Sequence, residues 1–337
     1  MIEAKYYQEN DLKLLTRRQF ITSLSGLALV KAFPACTWFS DQPISIAAHV
    51  WPGYESMFLA RSEGWLDSNQ VTLVETSSAT ESVKKLSEGK VLGAALTLDE
   101  VLKARATGLL LSIAMVFDIS AGADMLVAHP SIKKLADLKG KRIGYEKNSV
   151  GELLLNEILK VAELKKHDVE LIELTIDEQI QAWNLGQVEA VVTFEPVASH
   201  LQAQSGVKLF DSRQIPNTIV DVLAIRNDAI DFTHASAIRH LISTHFHAID
   251  HLKRNPQDAS YRMAAHLGLP VVDVLPAFKG LVLPDAAYNY RLLEGSQPEL
   301  LKSAQNLASN MIKNEKLQHK DSLDALINSD FLPTDFS

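Results

Sequence analysis

An aromatic, glycine-bearing turn carries the strongest chemical signal in the sequence. Trp51-Pro52-Gly53-Tyr54-Glu55 follows Ile44–Val50, a short apolar run with the character of a buried strand. It precedes residues 56–63, a helical run stopped by Gly64. In open α/β sheets, ligands bind beyond the carboxyl ends of strands, at such handovers. The alternative is a tight turn whose aromatics simply pack. A second signal is the S/T-x-x-E box, in which a hydroxyl caps a helix and the glutamate reaches back to it. It occurs at Ser78–Glu81, Thr97–Glu100, Ser149–Glu152 and Thr175–Glu178, each time after a strand-like run. Those helix starts bring free amides and positive dipole ends to one sheet edge. A third is Phe194-Glu195-Pro196, where Pro196 suits a first helical position and Glu195 stands at the helix mouth.

Other chemistry is weakly supported. His240, His245, His247 and His251 share one helical stretch, and His247 and His251 have metal-ligand spacing. No cysteine joins them and no His-Glu-x-x-His motif occurs, so a packing or surface role is expected and no metal is assigned. There is no Gly-x-Ser-x-Gly, P-loop or Gly-x-Gly-x-x-Gly, and no catalytic residue or cofactor is assigned.

The elements that must position these residues alternate. Strand-like runs at 71–75, 91–96, 111–117, 142–145, 171–174 and 188–193 are interleaved with helical ones, which indicates α/β architecture with a parallel sheet. Two further short strands follow near 207–210 and 219–225. From Thr233 onward the periodicity is helical. The chain has 337 residues, 47% of them hydrophobic, enough for one large or two ordinary domains with a real core. A formal net charge of −8 argues against a nucleic-acid groove.

Residues 1–36 have a different character. Thr16-Arg17-Arg18-Gln19-Phe20 precedes a mainly apolar run, too short to span a bilayer well and containing Lys31. This is the pattern of an export signal of twin-arginine type, the alternative being an amphipathic helix. Phe33-Pro34-Ala35-Cys36 resembles a bacterial lipobox, making Cys36 a lipidation candidate, with simple cleavage or an uncut anchor as the other outcomes. Cys36 is the sole cysteine, so no internal disulfide is possible. Five basic and three acidic residues lie in this segment; the remainder carries 28 against 38, a net of −10.

Four segments then carry a family resemblance: Trp51–Glu55, Leu96-Thr97-Leu98-Asp99-Glu100, Leu135-Ala136-Asp137-Leu138-Lys139-Gly140-Lys141-Arg142-Ile143-Gly144 and Val192-Thr193-Phe194-Glu195-Pro196. Together they resemble the nitrate/sulfonate/taurine (SsuA/Thi5-like) type of ABC-transporter substrate-binding protein, over roughly residues 44–320. The resemblance implies a two-lobed periplasmic-binding-protein (type II) fold, each lobe a mostly parallel sheet flanked by helices. Lobe 1 would be 43–120 plus 222–330 and lobe 2 would be 121–221, with the ligand between them.

It also implies a site. Trp51 and Tyr54 would stack on a planar ligand, with Gly53 in the turn between them. Ser78, Thr97 and Ser149 would hold an anionic group, with Thr80, Asp118 and Thr193 in neighbouring cleft loops. Glu55, Asp99 and Glu195 would receive an amine or amidine. Trp51 and Glu195 are expected to face each other across the cleft. The function implied is an exported solute-binding protein that delivers an aminated sulfonate or a pyrimidine-like amine to an ABC permease. The rivals are an enzyme like the thiamin-pyrimidine synthases, whose cysteine-rich motif is missing here, and a periplasmic ligand sensor. The location implied is periplasmic, with membrane contact only through a lipid anchor.

Overall fold

The computed structural model describes residues 42–313, 317 and 321–334. The twin-arginine segment and Cys36 lie outside the described residues. Two sheets organise the chain. The first has the order β11-β4-β10-β3-β1-β2, formed by β1 (Ile44–His49), β2 (Val71–Thr76), β3 (Gly93–Thr97), β4 (Leu111–Ser120), β10 (Val220–Arg226) and β11 (Leu281–Val282). The second has the order β7-β6-β8-β5-β9, formed by β5 (Asp124–Ala128), β6 (Arg142–Tyr145), β7 (Glu170–Glu173), β8 (Ala190–Phe194) and β9 (Val207–Asp211).

In the first sheet only β10 and the edge strand β11 run against the others; in the second only β5 does. The reversed strands β10 and β5 are each the first strand after a passage between sheets. The chain leaves the first sheet after Ser120 and enters the second at Asp124. It leaves the second after Asp211 and returns at Val220. Ser212 ties the two passages together: its hydroxyl lies 2.8 Å from that of Ser120 and accepts the Gly122 amide at 2.6 Å. Gly280 passes so close that a Cβ there would lie 2.4 Å from the Ala123 amide nitrogen.

Helices cover the sheets because their apolar positions recur at three and four residues. The clearest is α7 (Ala235–Arg254), which buries Ile238, Leu241, Ile242, His245, Ile249 and Leu252 against the first sheet's layer, packing on α1 (Glu55–Ser62). The α7 histidines serve packing. His247 and His251 stand edge-on to Trp65, at 4.3 and 5.2 Å, and His251 also pairs with Asp258 at 2.9 Å.

The S/T-x-x-E boxes organise α2 (Ala79–Ser87), α3 (Leu98–Ala106) and α5 (Ile176–Asn184). Ser78 Oγ accepts the Glu81 amide, while Glu100 and Glu178 accept the amides of Thr97 and Thr175, both at 2.9 Å. At α4 (Val150–Val161) the arrangement differs. Glu152 reaches the Asn148 amide at 3.2 Å, and the buried Ser149 hydroxyl caps nothing. A carboxylate from the other sheet's layer takes the helix end instead: Val150 N–H donates to Glu100 at 3.3 Å.

Candidate functional site

The first sheet places Tyr54, Thr97 and Asp221 around one space because β10 pairs with β3 and β4. The register sets Asp221 opposite both Thr97 and Asp118. The Pro52–Tyr54 turn then swings Trp51 and Tyr54 over those strand ends. From the second sheet come Asp124, at the start of β5, and Phe194, the end residue of β8 and opposite Asp124 in the ladder. The result is a narrow cavity of about 10 Å³ between the sheets, lined from both, with room for about one water.

One wall is aromatic. Phe194 reaches across from the second sheet and stands edge-on to Trp51, with centroids 5.3 Å apart. It also meets His49 at 5.5 Å, and His49 meets Tyr54 edge-on at 5.4 Å. The other wall is acidic. Asp124, Asp221 and Glu100 line it with Asp118 behind them, and all four are at most 3% exposed. Trp51 Nε1 donates to Asp118 at 3.0 Å, and the Tyr54 hydroxyl donates to Asp221. Gly53 is required for this arrangement: a Cβ there would lie 1.7 Å from Asp118 Oδ2.

No lysine or arginine lines this cavity among the described residues. Lys103, the nearby ammonium, donates to Asp99 at 2.8 Å and to the Ser149 carbonyl at 3.2 Å. Burial therefore dominates the titration of the acids. It pushes Asp118 up to about 8, against the Trp51 hydrogen bond, and Asp124 up to about 7. Burial and then the charge of Asp99 push Glu100 up to about 7. Asp221 is raised by burial and then by Asp118. Burial lowers His49 to about 4, so its imidazole is neutral. Two lining atoms, His49 Nδ1 and Asp124 Oδ2, are buried without a protein partner. Asp124 Oδ2 accepts an N–H as an anion, and His49 Nδ1 accepts one in the tautomer protonated at Nε2.

Three contacts join the two sheets' layers beside the cavity, all on residues 146–150. Glu146 accepts both the amide and the hydroxyl of Thr80, at 3.0 and 2.6 Å. The Val150 amide meets Glu100, and the Lys103 ammonium meets the Ser149 carbonyl.

The chain is similar to known proteins in sequence and in fold. Residues 51–259 match the family described as NMT1/THI5 like. The chain belongs to the NMT1/THI5-like family. Among curated relatives, it is 27% identical over 256 residues to a putative aliphatic sulfonates-binding protein of Escherichia coli (strain K12), covering 74% of this chain and 79% of that one. It is also 27% identical over 187 residues to a putative thiamine biosynthesis protein of Haemophilus influenzae, covering 51% of this chain and 57% of that one. Among solved structures, the fold is similar to that of the alkanesulfonate-binding protein SsuA from Xanthomonas axonopodis pv. citri bound to MOPS. The TM-score is 0.73 at 19% identity, covering 86% of this chain and 99% of that one. The two sheets flanked by helices are the two-lobed binding-protein fold.

Within this NMT1/THI5-like chain, the residues singled out in the sequence divide into groups. Trp51, Tyr54 and Thr97 line the cavity; Gly53 and Asp118 pack immediately behind it. Ser78 is consumed as a helix cap, and Thr80 joins Glu146. Asp99 is committed to Lys103 and the Thr97 hydroxyl, and Ser149 keeps its hydroxyl unpartnered. Thr193 is buried on β8, where residues alternate across the sheet, and its hydroxyl lies 3.5 Å from the Phe194 carbonyl oxygen.

Two acids are placed differently from the expectation. The Glu55 carboxylate is drawn to His266 Nδ1 at 2.5 Å, on the far side of the turn, because α1 packs against α8 (Pro256–Leu267). Glu195 accepts the Ser199 amide at 3.1 Å, which turns its carboxylate onto its own helix, α6 (Val197–Ala203). Phe194 therefore holds the place opposite Trp51 that Glu195 was expected to hold. The residues that sequence reasoning passed over are His49, Asp124, Phe194 and Asp221, together with Glu100, read only as a cap. The available signal was a lone carboxylate inside two apolar strands, Phe117-Asp118-Ile119 and Val220-Asp221-Val222, and at the start of a third, Asp124-Met125-Leu126. An acid in such a run is costly unless something pairs with it.

Proposed function

We propose that this chain is the exported solute-binding protein of an ABC importer and closes its two lobes on a small organic solute bearing a basic nitrogen. The single observation that carries the solute class is the pairing of unpartnered acceptors, His49 Nδ1 and Asp124 Oδ2, with a cavity that no lysine or arginine lines. Such a site favours N–H donors and positive charge. Trp51 and Phe194 stand edge-to-face and would part to offer their rings to a planar solute as the lobes open. A plain sulfonate finds no cation here, and the Val150 amide at the α4 start already serves Glu100. A pyrimidine-like amine fits this chemistry better than an aminated sulfonate.

A lobe-closing carrier needs contacts made only on closure. Those of Thr80 with Glu146, and of Lys103 and Glu100 with residues 149–150, are suited to that role, with a permease reading the closed form. The relatives named as binding proteins support this reading over a synthase. Among the described residues no helix is long and apolar enough to cross a membrane. The location we propose is the periplasm, with Cys36 as the lipid-anchor candidate.

Native mass spectrometry of the protein purified from its own host tests the proposal. The expected result is a stoichiometric, non-covalent small molecule that is released unchanged on denaturation. A product that accumulates catalytically from that molecule would instead support the enzyme reading.

A further inference from the structure

Asp118 on β4 and Asp221 on β10 are direct partners across the antiparallel ladder, and both carboxyls are buried. The Trp51 indole holds one member and the Tyr54 hydroxyl holds the other, so neither carboxyl can turn away to water. Two adjacent carboxyls in a dry site do not both ionise; they share a proton.

The surroundings leave that proton without a substitute. Asp124 faces the pair from β5, and Glu100 adds a further acid from α3. His49 on β1 is neutral. From α7, His245 approaches only through Phe117, edge-on at 5.2 Å; burial lowers it to about 3, and its Nδ1 meets the Ser56 hydroxyl at 2.6 Å. Lys103 is already held by Asp99 and the Ser149 carbonyl.

We infer that the cleft takes up its solute as a cation with N–H donors, in exchange for the proton shared by Asp118 and Asp221. The inference rests on the solute-binding reading and adds to it the charge of the solute and the ion that it displaces. The exchange balances. Before binding, one carboxylic acid and one carboxylate carry a single negative charge. Afterwards, two carboxylates and one cation carry the same net charge, and the proton has passed to the solvent. A neutral ring would leave the proton in place, and an anion would add a second uncompensated charge. Burial that keeps Asp118 protonated near neutral pH makes the exchange available there.

The test uses the full chain with benzamidinium as a planar cationic probe and benzamide as its neutral counterpart. Carbon NMR follows the aspartate carboxyls from pH 4 to 9, and calorimetry in phosphate and Tris buffers counts protons. We expect a carboxyl of the pair to titrate above pH 6. Benzamidinium should release about half to one proton at pH 7, and its affinity should rise by up to about tenfold per pH unit between pH 6 and 8. Benzamide should bind at least about tenfold more weakly, a minimum set by the loss of a charge-assisted contact. Asp221→Asn should abolish the proton release; if that variant does not fold, Asp118→Asn makes the same test. Titration of every aspartate below pH 5, benzamide binding equal to benzamidinium, or no response of the Asp118 and Asp221 carboxyl signals to benzamidinium would overturn the inference. A retained native solute that is an anion, bound without proton release, would overturn it and leave the solute-binding reading standing. A chain that retains no solute and does not close would overturn that reading, while the NMR titration would still decide the shared proton.

Discussion

The indole of Trp51 donates to the buried carboxyl group of Asp118 at 3.0 Å, across a turn that has no room for a side chain at Gly53. This bond fixes the aromatic face of the site to the acidic one. It therefore makes the turn a part of the site rather than a packed corner.

Gly53→Ala tests this coupling. Its Cβ would press on Asp118 Oδ2 and approach Trp51 Nε1 to 2.6 Å. Overpacking of this kind costs about 1–3 kcal/mol, so the variant should fold. Solute affinity should fall by at least about tenfold, because the indole must leave its place. Calorimetry beside a urea melt separates the two effects. A stable variant with unchanged affinity would detach Trp51 from the site.

Phe194 and Glu195 make a matched pair. Phe194→Leu keeps the bulk but removes the aromatic edge facing Trp51. Aromatic pairs are worth about 0.5–1.5 kcal/mol, so affinity should drop by about two- to twelvefold. Glu195→Gln should change affinity by less than about twofold, since its carboxylate serves the Ser199 amide and contributes about 0.3–1 kcal/mol to the helix. The reverse ranking would return Glu195 to the site.

Closure is tested at Glu146, which is 3% exposed and accepts both Thr80 donors. Hydrogen bonds to a charged acceptor contribute about 1.5–3 kcal/mol. Glu146→Ala should thus shift the population toward the open form by about tenfold or more and weaken solute binding in proportion. Small-angle scattering of the ligand-free protein should show a larger radius of gyration. An unchanged radius would mean that the contact does not hold the lobes together.

The Glu55–His266 pair should set a pH dependence of stability. Burial raises Glu55, with the His266 bond opposing it, while Glu55 raises His266 against its own burial. In Glu55→Gln the two titrations act in the same direction. His266 loses the rise that stabilises the fold below its unfolded pKa, and the cost of ionising a buried Glu55 above its own unfolded pKa disappears. Denaturant melts should therefore show a larger loss at pH 5 than at pH 8, by up to about 1.4 kcal/mol per pH unit. An equal loss at both would mean that the pair does not titrate with folding.

The sequence showed the alternation of strands and helices because that information is local: a period of two or of 3.6, and caps such as Thr97–Glu100 and Thr175–Glu178. The turn at Trp51–Tyr54 was visible for the same reason. What was hidden depended on pairing between distant segments. Asp221 reaches the site only because β10 inserts between β3 and β4, more than a hundred residues away in the chain. Asp124 and Phe194 meet only through the β5–β8 register. Glu55 and Glu195, by contrast, stand in the right loops. Their directions are set by His266 and by the Ser199 amide, which no spacing rule reveals.

The most direct measurement is a crystal structure of the protein with the solute retained from its host. The account predicts a planar ring between Trp51 and Phe194, with a protonated nitrogen within hydrogen-bond distance of Asp118 or Asp124. An anionic solute at that position, or a solute seated instead in the separate cavity of about 190 Å³ bordered by Lys103, Asn156, Pro216 and Met311, would contradict it.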